Sequence, residues 1–199
     1  MIFKLTNSFY EWLEGVCWEN TVAYKVYKFL RYDLPRFFKN IWKFKKALYN
    51  HYWFDHHGTL MFMEIGLTDM ANNIETRGIE VDHSRLKKVA KMRRAIQLIK
   101  NYNDDLYIDM AEKELGDLIL HDWEFEPSAD HPDCSRLIDK ESPEEKAHNA
   151  KVFARAREIG EQEWDELWDI IKGQDYSKFD KEIDFDSQFN GSGIRGWWD

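Results

Sequence analysis

The densest group of side chains able to do chemistry is His51-Tyr52-Trp53-Phe54-Asp55-His56-His57-Gly58. Two adjacent imidazoles beside a carboxylate offer ligands to a transition metal, or a general base that works near neutral pH. Adjacent residues on a helix project about 100° apart, so His56 and His57 converge on one atom only where the fold brings them together. The plainer reading is local: Asp55 caps a helix whose first turn holds both histidines, and His51 packs among aromatics on the helix before it. Further on, His121, Asp122, His131 and Cys134 are ligand types without the paired cysteine spacing of a structural zinc site. Neither Cys17 nor Cys134 stands in a Cys-His nucleophile context, no serine occupies a nucleophile elbow, and there is no glycine-rich phosphate loop. The sequence therefore assigns no catalytic residue, metal or cofactor.

Residue types suited to binding are better represented. Lys39, Lys43 and Lys46 share a helical stretch with Trp42, and Lys87, Lys88, Lys91, Arg93 and Arg94 share another. A purine is held by stacking on an aromatic face and its phosphates by cations, so the expected ligand site comprises Trp42, Trp53, His56, His57, Lys91, Arg93 and Arg94. The same residue types suit single-stranded nucleic acid or an anionic membrane surface, and lysines snorkelling from a core-facing helix look identical in sequence.

Charge sharpens this expectation. The chain carries 28 Lys+Arg against 37 Asp+Glu, net -9. Residues 1–100 hold 17 bases and 10 acids, whereas residues 101–199 hold 11 and 27. The basic excess is concentrated in two runs, eight bases with one acid between Tyr24 and Lys46, and seven bases with no acid between Arg85 and Lys100. Such asymmetry points to an anionic partner for the basic half, or to the acidic half lying against it within the fold or across a homo-oligomer. Net acidity opposes stable binding to duplex DNA, which draws its affinity from counterion release at a basic surface.

The elements that must position these groups are helical. With 199 residues, 43% hydrophobic and 16% aromatic, the chain has apolar surface enough for one core. A mean hydropathy of -0.67 and the lack of any eighteen-residue apolar run or charged-then-apolar leader predict a soluble protein with no membrane span. Two cysteines do not make a disulfide framework, so a reducing compartment is expected. Ser8 and Glu11 have capping-box spacing and open a helix to about Trp18. A second helix runs from about Thr21 to Tyr32, and Asp33 with Pro35 marks a restart. From Arg36 to Trp53, Phe37, Ile41, Phe44, Leu48 and Tyr52 form one stripe, with Phe38, Trp42, Tyr49 and Trp53 beside it. Leu60, Met63, Leu67, Met70 and Ile74 repeat in steps of three and four until Gly78. After Asp82, Leu86, Val89, Met92, Ile96 and Ile99 line a basic helix, and another follows to about Leu120.

Residues 121–143 hold three of the four prolines and no sustained period, which predicts an irregular surface excursion. Ser142-Pro143-Glu144-Glu145 combines an N-cap, a first-turn proline and a capping-box glutamate, and predicts a helix to Gly173. That helix carries Glu158, Glu161, Asp165, Glu166 and Asp169, read as the solvated face of a packing element built on Trp164, Leu167, Trp168 and Ile171. β-branched residues are too scarce for more than one N-terminal strand, at Ile2–Leu5. The expectation is an all-α chain: one helical domain of six to seven helices over residues 1–173, then an acidic, aromatic tail over 174–199, loosely ordered or docked.

Two stretches also resemble a known group. Trp53-Phe54-Asp55-His56-His57 with Leu60, Glu64 and Leu67 and then a basic helix leading to Asn103-Asp104-Asp105, and the ending Gly191-Ser192-Gly193-Ile194-Arg195-Gly196-Trp197-Trp198-Asp199, preceded by Glu166-Leu167-Trp168 and Ile170-Ile171-Lys172-Gly173, are similar to helical accessory proteins encoded by tailed bacteriophages. The similar parts cover about half of the chain. The resemblance implies a setting, the cytoplasm of an infected bacterium, and a role in countering host immunity by sequestering a nucleotide-derived signal. A protein-binding inhibitor of a host defence factor is the alternative. A metal-dependent phosphohydrolase is the third reading, because His56-His57 with His121-Asp122 is similar to the His…His-Asp pattern of HD-type phosphohydrolases. The implied partners are thus an anionic, nucleotide-like small molecule or a host protein.

Overall fold

A computed structural model describes residues 21–52, 54–127 and 134–197. The expected strand at Ile2–Leu5 and first helix lie outside the described residues, as do Trp53, His131 and Trp198. Among the described residues the protein is helical, with one two-stranded ribbon as its only sheet. Contacts divide the chain into two compact units, Met1–Phe62 and Met63–Asp199.

In the first unit α1 spans Val22–Lys28, opened by Thr21, whose hydroxyl accepts from the Tyr24 N–H at 3.2 Å. It continues without a break through a π turn, Phe29–Asp33, into α2, Leu34–Asn50. The predicted restart at Asp33 and Pro35 is thus a change of pitch. Pro35 has no N–H to return to Arg31, and its ring would crowd that carbonyl in a regular α turn. The wider turn, in which Leu34 N–H reaches back to Phe29 O, makes room for it. α2 ends at Asn50, three residues before the expected Trp53, because His51 turns to extended backbone at ψ 119°. Within the unit Phe44 stacks on Phe62 at 5.7 Å and His51 meets Phe62 edge-on at 5.8 Å, and Ala47 is buried. Then α3 begins, His56–Arg77. A Cβ on Gly58 would lie 2.8 Å from His51 Nδ1, so this glycine lets the imidazole rest on the opening turn of α3.

The second unit contains the rest of α3, then α4 (Asp82–Asn103), α5 (Tyr107–Leu115) and α6 (Pro143–Lys172). Its core takes Leu67, Ala71 and Ile74 from α3, with Ala71 interior where the expected Met70 is half-buried, and Val89, Met92, Ile96 and Ile99 from α4, the spacing the sequence predicts. Leu86 departs from that stripe and is 53% exposed, one turn before the burial begins. α5 stops at Leu115, five residues before the expected Leu120, because Gly116 adopts φ 99°. The chain that follows is tied to α6 by the buried Asn149, which accepts from the Ile119 N–H at 3.0 Å and donates to Ile119 O at 2.8 Å.

The excursion contains structure that its composition hid. β1 (Glu124–Pro127) pairs antiparallel with β2 (Ser135–Ile138), placing Phe125 opposite Leu137 and Glu126 opposite Arg136. Four-residue strands are too short to show a period, and these cross-strand pairs appear only once the register is known. α6 starts as predicted: Glu145 N–H donates to Ser142 Oγ at 3.2 Å, and Ser142 N–H donates to Glu145 Oε2 at 2.7 Å. Its interior residues are Val152, Ala156, Leu167 and Ile170, while Trp168, expected to pack, is 58% exposed.

The tail has little regular structure beyond two 3-10 turns and one helical turn, α7 (Phe185–Gln188), and it is docked. Gly193 N–H donates to Ile170 O at 2.8 Å, and Lys87 Nζ donates to Phe189 O at 2.9 Å. Phe189 and Trp197 are buried, and the Trp197 indole donates to Gly191 O at 2.8 Å.

Candidate functional site

The expected ligand residues fall into both units. Trp42, His56 and His57 belong to the first, whereas Lys91, Arg93 and Arg94 belong to the second.

In the first unit the sequence dictates a divided helix. At 100° per residue, Phe37, Ile41, Leu48, Phe38, Trp42 and Tyr49 share one arc of α2, with Arg36 and Lys43 opposite it and Lys39 and Lys46 flanking it. The π turn extends the apolar arc backwards. Its extra residue shifts the register by about 100°, so that Val22 and Val26 of α1 and Phe29 of the π turn line up with Leu34, Phe37 and Ile41 rather than with Asp33 and Arg36. This arc is bare: exposure runs from 40% at Ile41 through 60% at Phe38 and 72% at Trp42 to 87% at Tyr49. Phe44, at the border of the arc, turns to Phe62 of its own unit, while the buried Ala47 lies among the bases, next to Arg36 and Lys43 on the wheel. The side chain of Lys45 lies along Trp42, its ammonium 3.5 Å from the ring centre, a cation–π contact whose three-residue spacing was visible in the sequence and passed over.

The histidine corner is real in space. One ligand atom from each of Asp55, His56 and His57 lies within 4.8 Å of the others, and the two imidazoles stack at 4.5 Å between centres. Asp55 is also the cap of α3, its Oδ1 accepting from the His57 N–H at 2.9 Å. The plain reading and the metal reading therefore share the same three residues. His121, the other half of the phosphohydrolase-like pattern, is held in the second unit by Glu145, with Nε2 to Oε2 at 3.2 Å.

In the second unit the arginines are engaged by carboxylates of their own chain. Arg93 donates to Asn72 at 2.6 Å and to Glu75 at 2.8 Å, both on α3. Arg94 forms a two-pronged pair with Glu166 of α6, at 3.0 and 2.6 Å, and comes within 3.7 Å of Glu163. The hydrogen bond to Glu166 holds Arg94 above its usual pKa, and in return Arg94 holds the Glu166 carboxyl below its own. Behind this pair the buried Asn101 donates to both oxygens of Glu163, at 3.1 and 2.9 Å. Burial first, and the Glu163 charge second, push the neighbouring Tyr107 hydroxyl up to about 12. These groups border a cleft of about 490 Å³ lined by Arg94, Glu163, Glu166, Lys113, Glu114 and Arg155. Cations and carboxylates are balanced there, and Arg155 is itself paired with Glu114 at 2.6 Å. An anion entering this cleft must displace a carboxylate already bonded to the arginine it seeks. Sequence reasoning missed Asn101 and Glu163, since a polar residue among interior positions carries no signal of its partner.

No known protein family, curated protein or solved structure matches this chain.

Proposed function

We propose that this protein acts by binding an anionic partner, not by turnover, and that the binding element is the helix Val22–Asn50 of the first unit. One observation carries the reading: eight bases and a bare aromatic arc share one continuous helix. Arg93 and Arg94 of the second unit are already paired with Glu75 and Glu166. An exposed apolar and aromatic surface of this size is a mark of an interaction site. In the bacteriophage setting that the resemblance implies, such a protein would blunt host immunity by occupying its partner. Sequestration of a nucleotide-derived signal is the version of this reading that uses Trp42 for stacking and Lys39 and Lys46 for phosphate. The proximity of Asp55, His56 and His57 supports the metal-dependent alternative, which differs in requiring turnover that is lost in His56→Ala.

The test is native mass spectrometry of the protein recovered from infected bacterial cells, beside an Arg36→Glu/Lys39→Glu/Lys46→Glu variant. A bound anionic species present on the first and absent from the second is the expected result. A species of nucleotide mass selects the sequestration version. The same bound species on both proteins, or none on either, overturns the assignment to this helix.

A further inference from the structure

Resting on the reading that the first unit binds an anionic partner, we infer that this partner is an anionic lipid surface, on which α1 and α2 lie flat. Three features of the helix select a lipid interface over other anions. First, the apolar stripe is continuous from Val22 to Leu48 because the π turn realigns it, giving a strip about 40 Å long at 1.5 Å per residue. Second, that strip is a convex helix face rich in Phe, Trp and Tyr, the rings that settle at the boundary between acyl chains and headgroups. Third, bases are largely sorted from the aromatics: Lys43 and Arg36 lie opposite the aromatic arc, Lys39 and Lys46 flank it, and Lys45 alone is inside it. Single-stranded nucleic acid needs stacking rings and phosphate-binding cations on the same face, whereas a helix lying in an interface needs them apart.

The charges fit as well. Asp33 is the only acid between Tyr24 and Lys46, and Arg36 neutralises it at 2.7 Å. Lys39 and Lys46, bordering Trp42 and Tyr49 on the wheel, can bend their ammonium groups toward lipid phosphates while their methylenes follow the apolar edge. Lys45, the one base inside the arc, already lies along Trp42. A second copy of the chain is the less favoured occupant, because pairing two such strips by their apolar arcs turns the bases of both outward and offers them no anionic surface. No helix among the described residues is long and apolar enough to cross a membrane, so the contact is with the surface.

Flotation of the full chain with vesicles of phosphatidylcholine, with and without about a third phosphatidylglycerol, tests this, with heparin retention and sedimentation run in parallel. The protein is expected to float only with the anionic vesicles and to be released by salt. Lys39→Ala/Lys46→Ala should weaken partitioning roughly 30-fold, about 5-fold for each lysine. Phe38→Glu, at a position 60% exposed and so expected to fold, should abolish it. No flotation, equal flotation with both vesicle types, or flotation indifferent to Phe38→Glu and the lysine pair overturns the inference. Lysine-dependent retention on heparin without flotation would sink the membrane inference while leaving the anion-binding reading standing. Failure of both probes sinks both. Self-association that Phe38→Glu abolishes, without flotation, assigns the strip to a second copy and also overturns the inference.

Discussion

Gly191→Ala tests whether the tail is a structural part of the second unit. Gly191 sits at φ 86°, and a Cβ there would lie 2.3 Å from both C and O of Lys87 and 2.7 Å from Lys88 N. These are backbone atoms in the second turn of α4, so no change of rotamer relieves the overlap. The left-handed conformation alone costs an L-residue about 1–2 kcal/mol. The clash adds to this until the segment lifts away from α4. Lifting exposes Trp197, which is 3% exposed and bonded to Gly191 O, and removes the Phe189 carbonyl from Lys87. Truncating a buried tryptophan costs about 3–5 kcal/mol, and the loss should saturate near that value, because a tail once detached has nothing further to lose. For a chain of this size each kcal/mol moves Tm by about 2–4 °C, so Gly191→Ala should lower Tm by about 10 °C. Trp197→Ala should do much the same, and the double variant should be little worse than either alone. Thermal unfolding followed by circular dichroism gives the three values, and trypsin should cut after Lys178 or Lys181 faster in all three variants. A Gly191→Ala protein within about 2 °C of the parent, or losses that simply add, would refute the docked arrangement.

Two further predictions concern the charged cluster beside α6. Glu166 is held below 4.5 chiefly by its hydrogen bond from Arg94, so its contribution is present above pH 4.5 and is lost as pH falls through the depressed value. Arg94→Met should therefore flatten the acid side of the stability profile, and an unchanged slope in urea melts below pH 5 would contradict the pairing. Tyr107 is raised from 10.0 to about 12, so the folded state favours its neutral form. That stability is complete below pH 10 and is lost as pH rises toward 12. In a spectrophotometric titration Tyr107→Phe should remove absorbance that develops near pH 12, and removal of absorbance near pH 10 instead would show that the hydroxyl is not held beside Glu163.

Much of the helical framework was legible because its signals are local. A capping box needs residues three apart, and Ser142 with Glu145 formed one; a core stripe needs steps of three and four, and Val89, Met92, Ile96 and Ile99 supplied it. The two-sided character of α2 was likewise written in its spacing. What that spacing could not say is which side faces its own unit. The apolar arc of Phe37, Phe38, Trp42 and Tyr49 is left bare, and the fully buried position of α2 is Ala47, on the side of Arg36 and Lys43.

Arg93 and Arg94 looked available for phosphate because sequence records a charge and not its neighbour. Glu75 is 18 positions from Arg93 and Glu166 is 72 from Arg94, and only the packing of α3 and α6 against α4 brings them within bonding distance. The ribbon of β1 and β2 and the seat of Trp197 were hidden for the same reason. By itself the sequence determined most of the described helices and the caps at Asp55 and Ser142, since these depend on residues within one or two turns, whereas Asp82, expected as a cap, is the first residue of α4 behind Val81. Tertiary structure alone decided which cations are neutralised, which apolar face stays bare and where the tail rests, because each depends on contacts between residues far apart in the chain.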